Sequence, residues 1–225
     1  MKDQIPSQPK AFRPERHRPS KIVHQVEKKK NNEQSVRKTL LVAGIDLFAE
    51  KGYASTSVRE IVSAAGVTKP VLYYYFQSKE GLFQAILDSA AEEQEVILKE
   101  ALQKPGTALE RIVHLYRRIY TALMENQQLF KLINHLFFGP PHGAPRYDIE
   151  RFHRRMAEVI KDILKEGFLR GEVREVDAEE ATLLVLGVTD YCFHRDYLHP
   201  ESMDPDRAER LLRLAFQGLS ERKDG

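Results

Sequence analysis

The sequence contains no tryptophan and a single cysteine, Cys192. One thiol cannot build an intramolecular disulfide framework, so the fold must rest on its core, as suits a reducing cytoplasm. No stretch approaches the roughly 18 consecutive apolar residues that a membrane-spanning helix needs. The opening "MKDQIPSQPKAFRPERHRPSK" has no apolar h-region of a secretory signal. No segment alternates apolar and polar residues long enough to make a strand, and no internal repeat recurs. The GxSxG, P-loop, HExxH and Rossmann glycine patterns are also missing, so no enzyme is expected. Paired acids such as Glu92/Glu93 and Glu179/Glu180 are adjacent, face different directions on a helix and read as solvated surface.

What is present is helix. Leu, Ala, Glu, Lys and Arg dominate the 225 residues, enough for one large domain or two small ones. Net charge is only +2, but it is unevenly spread. Residues 1–34 hold nine Lys/Arg against four Asp/Glu, residues 35–81 net +2, and the remainder is acidic. A basic N-terminal end on an acidic remainder is weak evidence for a polyanion partner there.

Residues 1–34 carry four prolines and "KKKNN" with little apolar period, and read as a disordered basic arm. From Ser35, Leu40, Leu41, Ala43, Ile45, Leu47 and Phe48 recur at spacings of three and four, ending at "EKGY". Ser57 with Glu60 is a capping box opening a second helix, which stops at Gly66. Thr68 is placed to cap a third, with Pro70 in a first turn where a missing N–H costs nothing. Ser78 caps a fourth. Further helices are expected at about 78–102, 106–125, 127–138, 147–170, 177–198 and 204–221, the fifth of these opened by Asp177 and Glu180. The fold class is all-α with about nine helices. Its domains are the arm at 1–34, a three-helix helix-turn-helix unit at 35–82 and a larger helical domain at 83–225.

Two short helices joined at Gly66-Val67 have the layout of a helix-turn-helix. The stretch "LFAEKGYASTSVREIVSAAGVTKPVLYYYFQSKEGLF" resembles the DNA-binding domain of the tetracycline-repressor (TetR) family of bacterial transcriptional regulators. The resemblance covers about residues 36–83 and implies a dimeric regulator, most readily a repressor, on a pseudo-palindromic double-stranded operator. It places Thr56 and Ser57 against a phosphate, and Arg59 at a base edge or phosphate. Thr68, Lys69, Pro70 and Val71 come nearest the bases, where lysine suits guanine and apolar groups suit a thymine methyl. Tyr73, Tyr74, Tyr75 and Lys79 fall to the backbone grip, while Leu72 and Phe76, four apart, turn into the core.

The same resemblance implies a small-molecule effector in the C-terminal domain and a homodimer through the last two helices. Aromatic candidates for the effector lining are Tyr116, Tyr120, Phe130, Phe137, Phe138, Phe152, Met156 and Tyr191, so a hydrophobic ligand is expected. The segment "HLFFGPPHGAPRY" is in a position to gate an entrance. Leu183, Leu184, Leu186, Leu211, Leu212, Leu214 and Phe216 offer the apolar surface for pairing. No two of the histidines in this domain stand four apart on one helix, and no thiolate set exists, so neither a metal nor a cofactor is expected. The alternative function is an architectural or segregation DNA-binding protein of the same fold. Footprinting separates the two, since a regulator protects one palindrome and an architectural protein coats DNA broadly.

Overall fold

The computed structural model describes residues 21–139, 143–173, 176–199, 201, 204 and 206–219. Among them are nine helices and no strand: α1 Lys21–Lys51, α2 Val58–Ala64, α3 Lys69–Phe76, α4 Lys79–Gln103, α5 Ala108–Glu125, α6 Gln127–Phe138, α7 Arg151–Leu169, α8 Ala178–Leu198 and α9 Arg207–Leu219. Two compact units divide the chain, residues 1–38 and residues 39–225. In the first, the described residues are the opening turns of α1, and this differs from the arm expected up to residue 34. Residues 21–43 contain neither proline nor glycine and are rich in Lys, Glu and Gln. Such a segment needs no apolar face of its own when it lengthens a helix that tertiary packing has already nucleated. Residues 1–20 of the expected arm lie outside the described residues.

In the second unit, the small helices close around an apolar centre. Leu40, Phe48, Ile61, Leu72, Leu82 and Phe83 are fully buried, each contributing on the order of 2 kcal/mol. Phe48 and Phe83 meet edge to face at 5.6 Å, and Tyr53 packs on both. Helix α2 starts at a complete capping box, with Ser57 and Glu60 each bonding the other's backbone N–H. It stops where Gly66 turns left-handed at φ +64, a conformation that β-carbons resist. Thr68 occupies the N-cap of α3, but its hydroxyl makes no capping bond, and Pro70 carries the start instead.

The α3–α4 corner is tighter. Gln77 takes a positive φ of 63, and the Ser78 N–H donates to the Phe76 carbonyl at 2.7 Å. A β-carbon built on Gly81 would fall inside the van der Waals contact of that same Phe76 oxygen.

The rest of this unit is a helical body, α4 to α9. Ile97, Leu98, Ile112, Val159, Ile160, Ile163, Val185 and Leu212 belong to one core cluster drawn from five of these helices. Thr107 and Glu110 form a second complete capping box at α5. Just inside it, Arg111 is 2% exposed. Its Nε and one terminal nitrogen donate to the carbonyls of Ala101 and Leu102, and its other nitrogen pairs with Glu166 on α7. The guanidinium thus caps the C-terminal end of α4, where the helix dipole favours a cation. Among the described residues no helix is long and apolar enough to cross a membrane.

Candidate nucleic-acid interface

Helix α3 is amphipathic over only two turns. Leu72 and Phe76 are buried and fix its rotation, while Lys69, Pro70, Tyr73 and Tyr74 are exposed and Val71 and Tyr75 half-buried. The three tyrosines therefore do not behave alike. Tyr74 is 74% exposed and Tyr73 47%, whereas the Tyr75 ring packs edge to face on Tyr74 at 5.0 Å. Thr68 and Arg59 are exposed as well. At the start of α2 the Glu60 carboxylate is engaged. Glu60 is held down to about 2, first by the Lys51 ammonium at 2.7 Å and then by the Ser57 backbone N–H.

Two of the expected contact residues are engaged within the fold. Thr56 is 2% exposed, and its hydroxyl donates to the carbonyls of Gly52 at 2.8 Å and Leu47 at 3.2 Å. A hydroxyl has one proton to give, so Thr56 has none for a phosphate. Ser57 remains exposed, though its hydroxyl is engaged with Glu60 at 2.8 Å. Lys79 donates to the carbonyls of Tyr53 at 2.9 Å and Thr56 at 2.8 Å, with its ammonium 4.0 Å over the Tyr53 ring. Desolvation lowers its pKa. Lys79 is thus first a fastener between α4 and the α1–α2 turn. Sequence spacing missed this because the acceptors lie 26 and 23 residues away.

The expected effector lining separates by burial. Tyr116, Tyr120, Phe130, Phe152 and Met156 are buried and Phe137 is half-buried. Phe138 is 64% and Tyr191 62% exposed, so these two do not line the interior of the chain. Phe138 sits at the end of α6, beside Phe137 and His194. The Tyr120 hydroxyl is taken by Asp196 at 3.1 Å, which Arg207 also grips at 2.6 Å, locking α5, α8 and α9 together. Of the expected gate, Gly143 to Tyr147 line a cleft of about 1060 Å³ with the turn at Gly52–Ser55. Residues 140–142 lie outside the described residues. No group of three or more His, Cys, Asp or Glu among the described residues is placed to hold a metal ion.

The expected pairing residues also divide. Leu186, Leu212 and Phe216 are buried in the chain's own core, and Leu211 packs at its edge. Leu183, Leu184 and Leu214 are exposed, and so are Tyr191 and Leu198 further along α8. Helix α8 is apolar on both sides, and a sequence pattern cannot say which side its own chain covers.

The comparisons bear on the same residues. A model of the tetR family of bacterial regulatory proteins matches residues 40–86, from the later turns of α1 to the early turns of α4. The chain is 28% identical over 171 residues to the HTH-type transcriptional repressor BepR of Brucella suis biovar 1 (strain 1330), covering 73% of this chain and 81% of that protein. Its fold matches a transcriptional regulator of the TetR/AcrR family from Thermobifida fusca YX-ER1, with a TM-score of 0.60 and 30% identity, covering 82% of this chain and 98% of that one. It also matches the transcriptional regulator FadR from Bacillus subtilis in complex with stearoyl-CoA, with a TM-score of 0.63 and 20% identity, covering 81% of this chain and 98% of that one. These proteins are transcriptional regulators and not enzymes. A helix-turn-helix built on Leu72 and Phe76, a helical body behind it and a solved relative matched along nearly its whole length agree: the chain belongs to the tetR family of bacterial regulatory proteins.

Proposed function

We propose that this protein is a cytoplasmic, dimeric repressor that holds a pseudo-palindromic operator and releases it when a small apolar molecule enters the α4–α9 body. The observation that carries the reading is the division of α3. Leu72 and Phe76 seat the helix, and Lys69, Pro70, Tyr73 and Tyr74 stand exposed at its start and along its outer side. Lys69 and Val71 read base edges, Arg59 reaches a base edge or phosphate, and Tyr73 and Tyr74 hold phosphates. The repressing sense follows BepR, and the existence of a small-molecule effector follows the stearoyl-CoA complex of FadR.

Fluorescence anisotropy on an operator found by footprinting the protein's own upstream region tests this. Lys69→Ala should lower discrimination at particular base pairs by about 1–3 kcal/mol. Tyr73→Phe should weaken specific and random DNA alike, by roughly tenfold, since it removes a donor to a charged oxygen. Because a phenol carries no charge, the salt slope should not change. Equal binding by Tyr73→Phe and wild type at moderate salt overturns the phosphate role. Broad coating of DNA without one protected palindrome would favour an architectural protein.

Pairing is assigned to the exposed side of α8 and α9. A Leu183→Glu, Leu214→Glu double variant should sediment as a monomer with a helical spectrum matching wild type, and should lose cooperative operator binding. A persistent dimer would move the interface elsewhere.

A further inference from the structure

Two small cavities lie side by side among the described residues of the α4–α9 body. The larger, about 80 Å³, lies among α4, α5, α6 and α7, walled by Ile97, Phe130 and Phe152, with exposed Glu93 and Asn126 at its rim. The smaller, about 10 Å³, lies among α5, α7 and α8, with Tyr116, Met156 and Thr189 in its wall. Ile119 is part of both walls.

Three features of this pair point to a ligand of particular chemistry. The first is a spare donor. Tyr116 is 2% exposed and its buried hydroxyl has no hydrogen-bond partner, which is costly for a phenol in an apolar interior. The other hydroxyl in the wall, Thr189, gives its proton to the carbonyls of Val185 and Leu186 and makes no bond with Tyr116. The second is charge. Among the described residues neither wall contains a lysine, arginine or histidine, and the one carboxylate, Glu93, stands at the rim. An anion would meet Glu93 on entry and find no cation inside, a heavy penalty in a site of low polarity. The third is give. Met156 is unbranched and repacks readily, and Ile119 is the wall shared by both spaces.

We propose that the two cavities are the ends of one effector slot, closed in this state by Ile119. Its ligand is an uncharged molecule with an apolar body and a hydrogen-bond acceptor at its inner end, which takes the Tyr116 hydroxyl. The ligand enters past Glu93 and Asn126, displaces Ile119 and Met156, and spreads α4 from α5 as it does so. A single benzene ring already needs a cavity of roughly 150 Å³, so binding has to enlarge this slot, and that enlargement is the signal. This assignment rests on the reading of the protein as a ligand-released repressor and names the class of ligand.

Isothermal titration of the full-length protein with 2-octanone, octanoate, octylammonium and 2-methyl-1-octene tests it. The last probe replaces the carbonyl oxygen with a methylene. The ketone should bind at least tenfold more tightly than either ion. In Tyr116→Phe the ketone should weaken by about five- to tenfold while the alkene stays within twofold, the loss of one hydrogen bond. Ile119→Trp, which fills both cavities, should abolish binding of the ketone, and both variants should still bind operator DNA. Octanoate or octylammonium binding as tightly as the ketone overturns the proposal, as does an equal loss of ketone and alkene in Tyr116→Phe. Failure of all four probes against a protein that still holds its operator also overturns it, and leaves the DNA reading intact. Failure to hold any operator strikes that reading instead.

Discussion

Gly81→Ala should cost about 3 kcal/mol of stability or more, the upper end for overpacking, because the obstacle is main chain. The added β-carbon would meet the Phe76 carbonyl oxygen, with the Phe76 carbonyl carbon at 3.1 Å behind it. A crowded side chain can rotate away, but this oxygen is fixed by the end of α3 and already accepts from Ser78. Relief requires α3 and α4 to move apart, which also tilts the helix that carries Lys69 and Tyr73. Urea denaturation should show a lower midpoint at unchanged slope, and operator affinity should fall even at temperatures where the far-ultraviolet spectrum is native. Gly66→Ala is the contrast. Nothing lies within 4 Å of its built β-carbon, so only the left-handed φ of +64 is taxed, at about 1 kcal/mol. Equal effects of the two substitutions would show that contact with Phe76 is not what makes Gly81 necessary.

Arg111→Met should destabilise by roughly 3 kcal/mol, the scale for leaving two carbonyls out of water without their donors. For a chain of this size that corresponds to about 6–12 °C in Tm. Two carbonyls at the end of α4 lose their donors, and Glu166 loses the partner that holds its carboxyl below the usual range. Glu166 is half exposed and rehydrates, so most of the loss falls on the carbonyls. The pH dependence has a definite sign. A depressed folded-state carboxyl stabilises fully above its unfolded pKa, and that part is lost as pH falls through the folded value. The difference between wild type and Arg111→Met should therefore shrink on acidification below the ordinary carboxylate range and stay constant above it. A difference that grows toward acid would remove Glu166 from the account. Arg111→Lys, keeping a charge but losing the fork, should fall between the two.

Much of this fold can be read from local signals. Ser57 with Glu60, Pro70 in a first turn, Gly66 after a short helix and Asp177 before a long one are all nearest-neighbour chemistry, and α2, α3, α4 and α8 begin where that chemistry puts them. Leu72 and Phe76 follow from the helical period in the same way. What escaped depends on partners distant in sequence. Thr56 and Lys79 both have the look of phosphate ligands, and their links within the fold show only once the turn back to Leu47 and the Tyr53 ring beneath the ammonium are known. Leu183 and Leu186 are chemically alike, but packing against the body buries one and leaves the other exposed. The sequence of residues 21–34 carries little apolar period, so periodicity alone had no purchase on them.

The way α4 is held at its two ends has a mechanical consequence. Its C-terminal carbonyls are pinned by Arg111, and its N-terminal residue, Lys79, holds the carbonyls of Tyr53 and Thr56. Measured from Ala101 along the axis, Gln94 is about 10 Å away and Lys79 about 33 Å at 1.5 Å per residue. A rigid rod hinged at that end triples any sideways push delivered at Gln94 by the time it reaches Lys79. A shift of about 1 Å beside the cavity would then become about 3 Å at the fastener, comparable to the rise between successive base pairs. In the proposed two-fold pair, the two opposed levers would alter the spacing of the two α3 helices by the sum of both strokes. The gearing is set by where along the rod Arg111 happens to hold it.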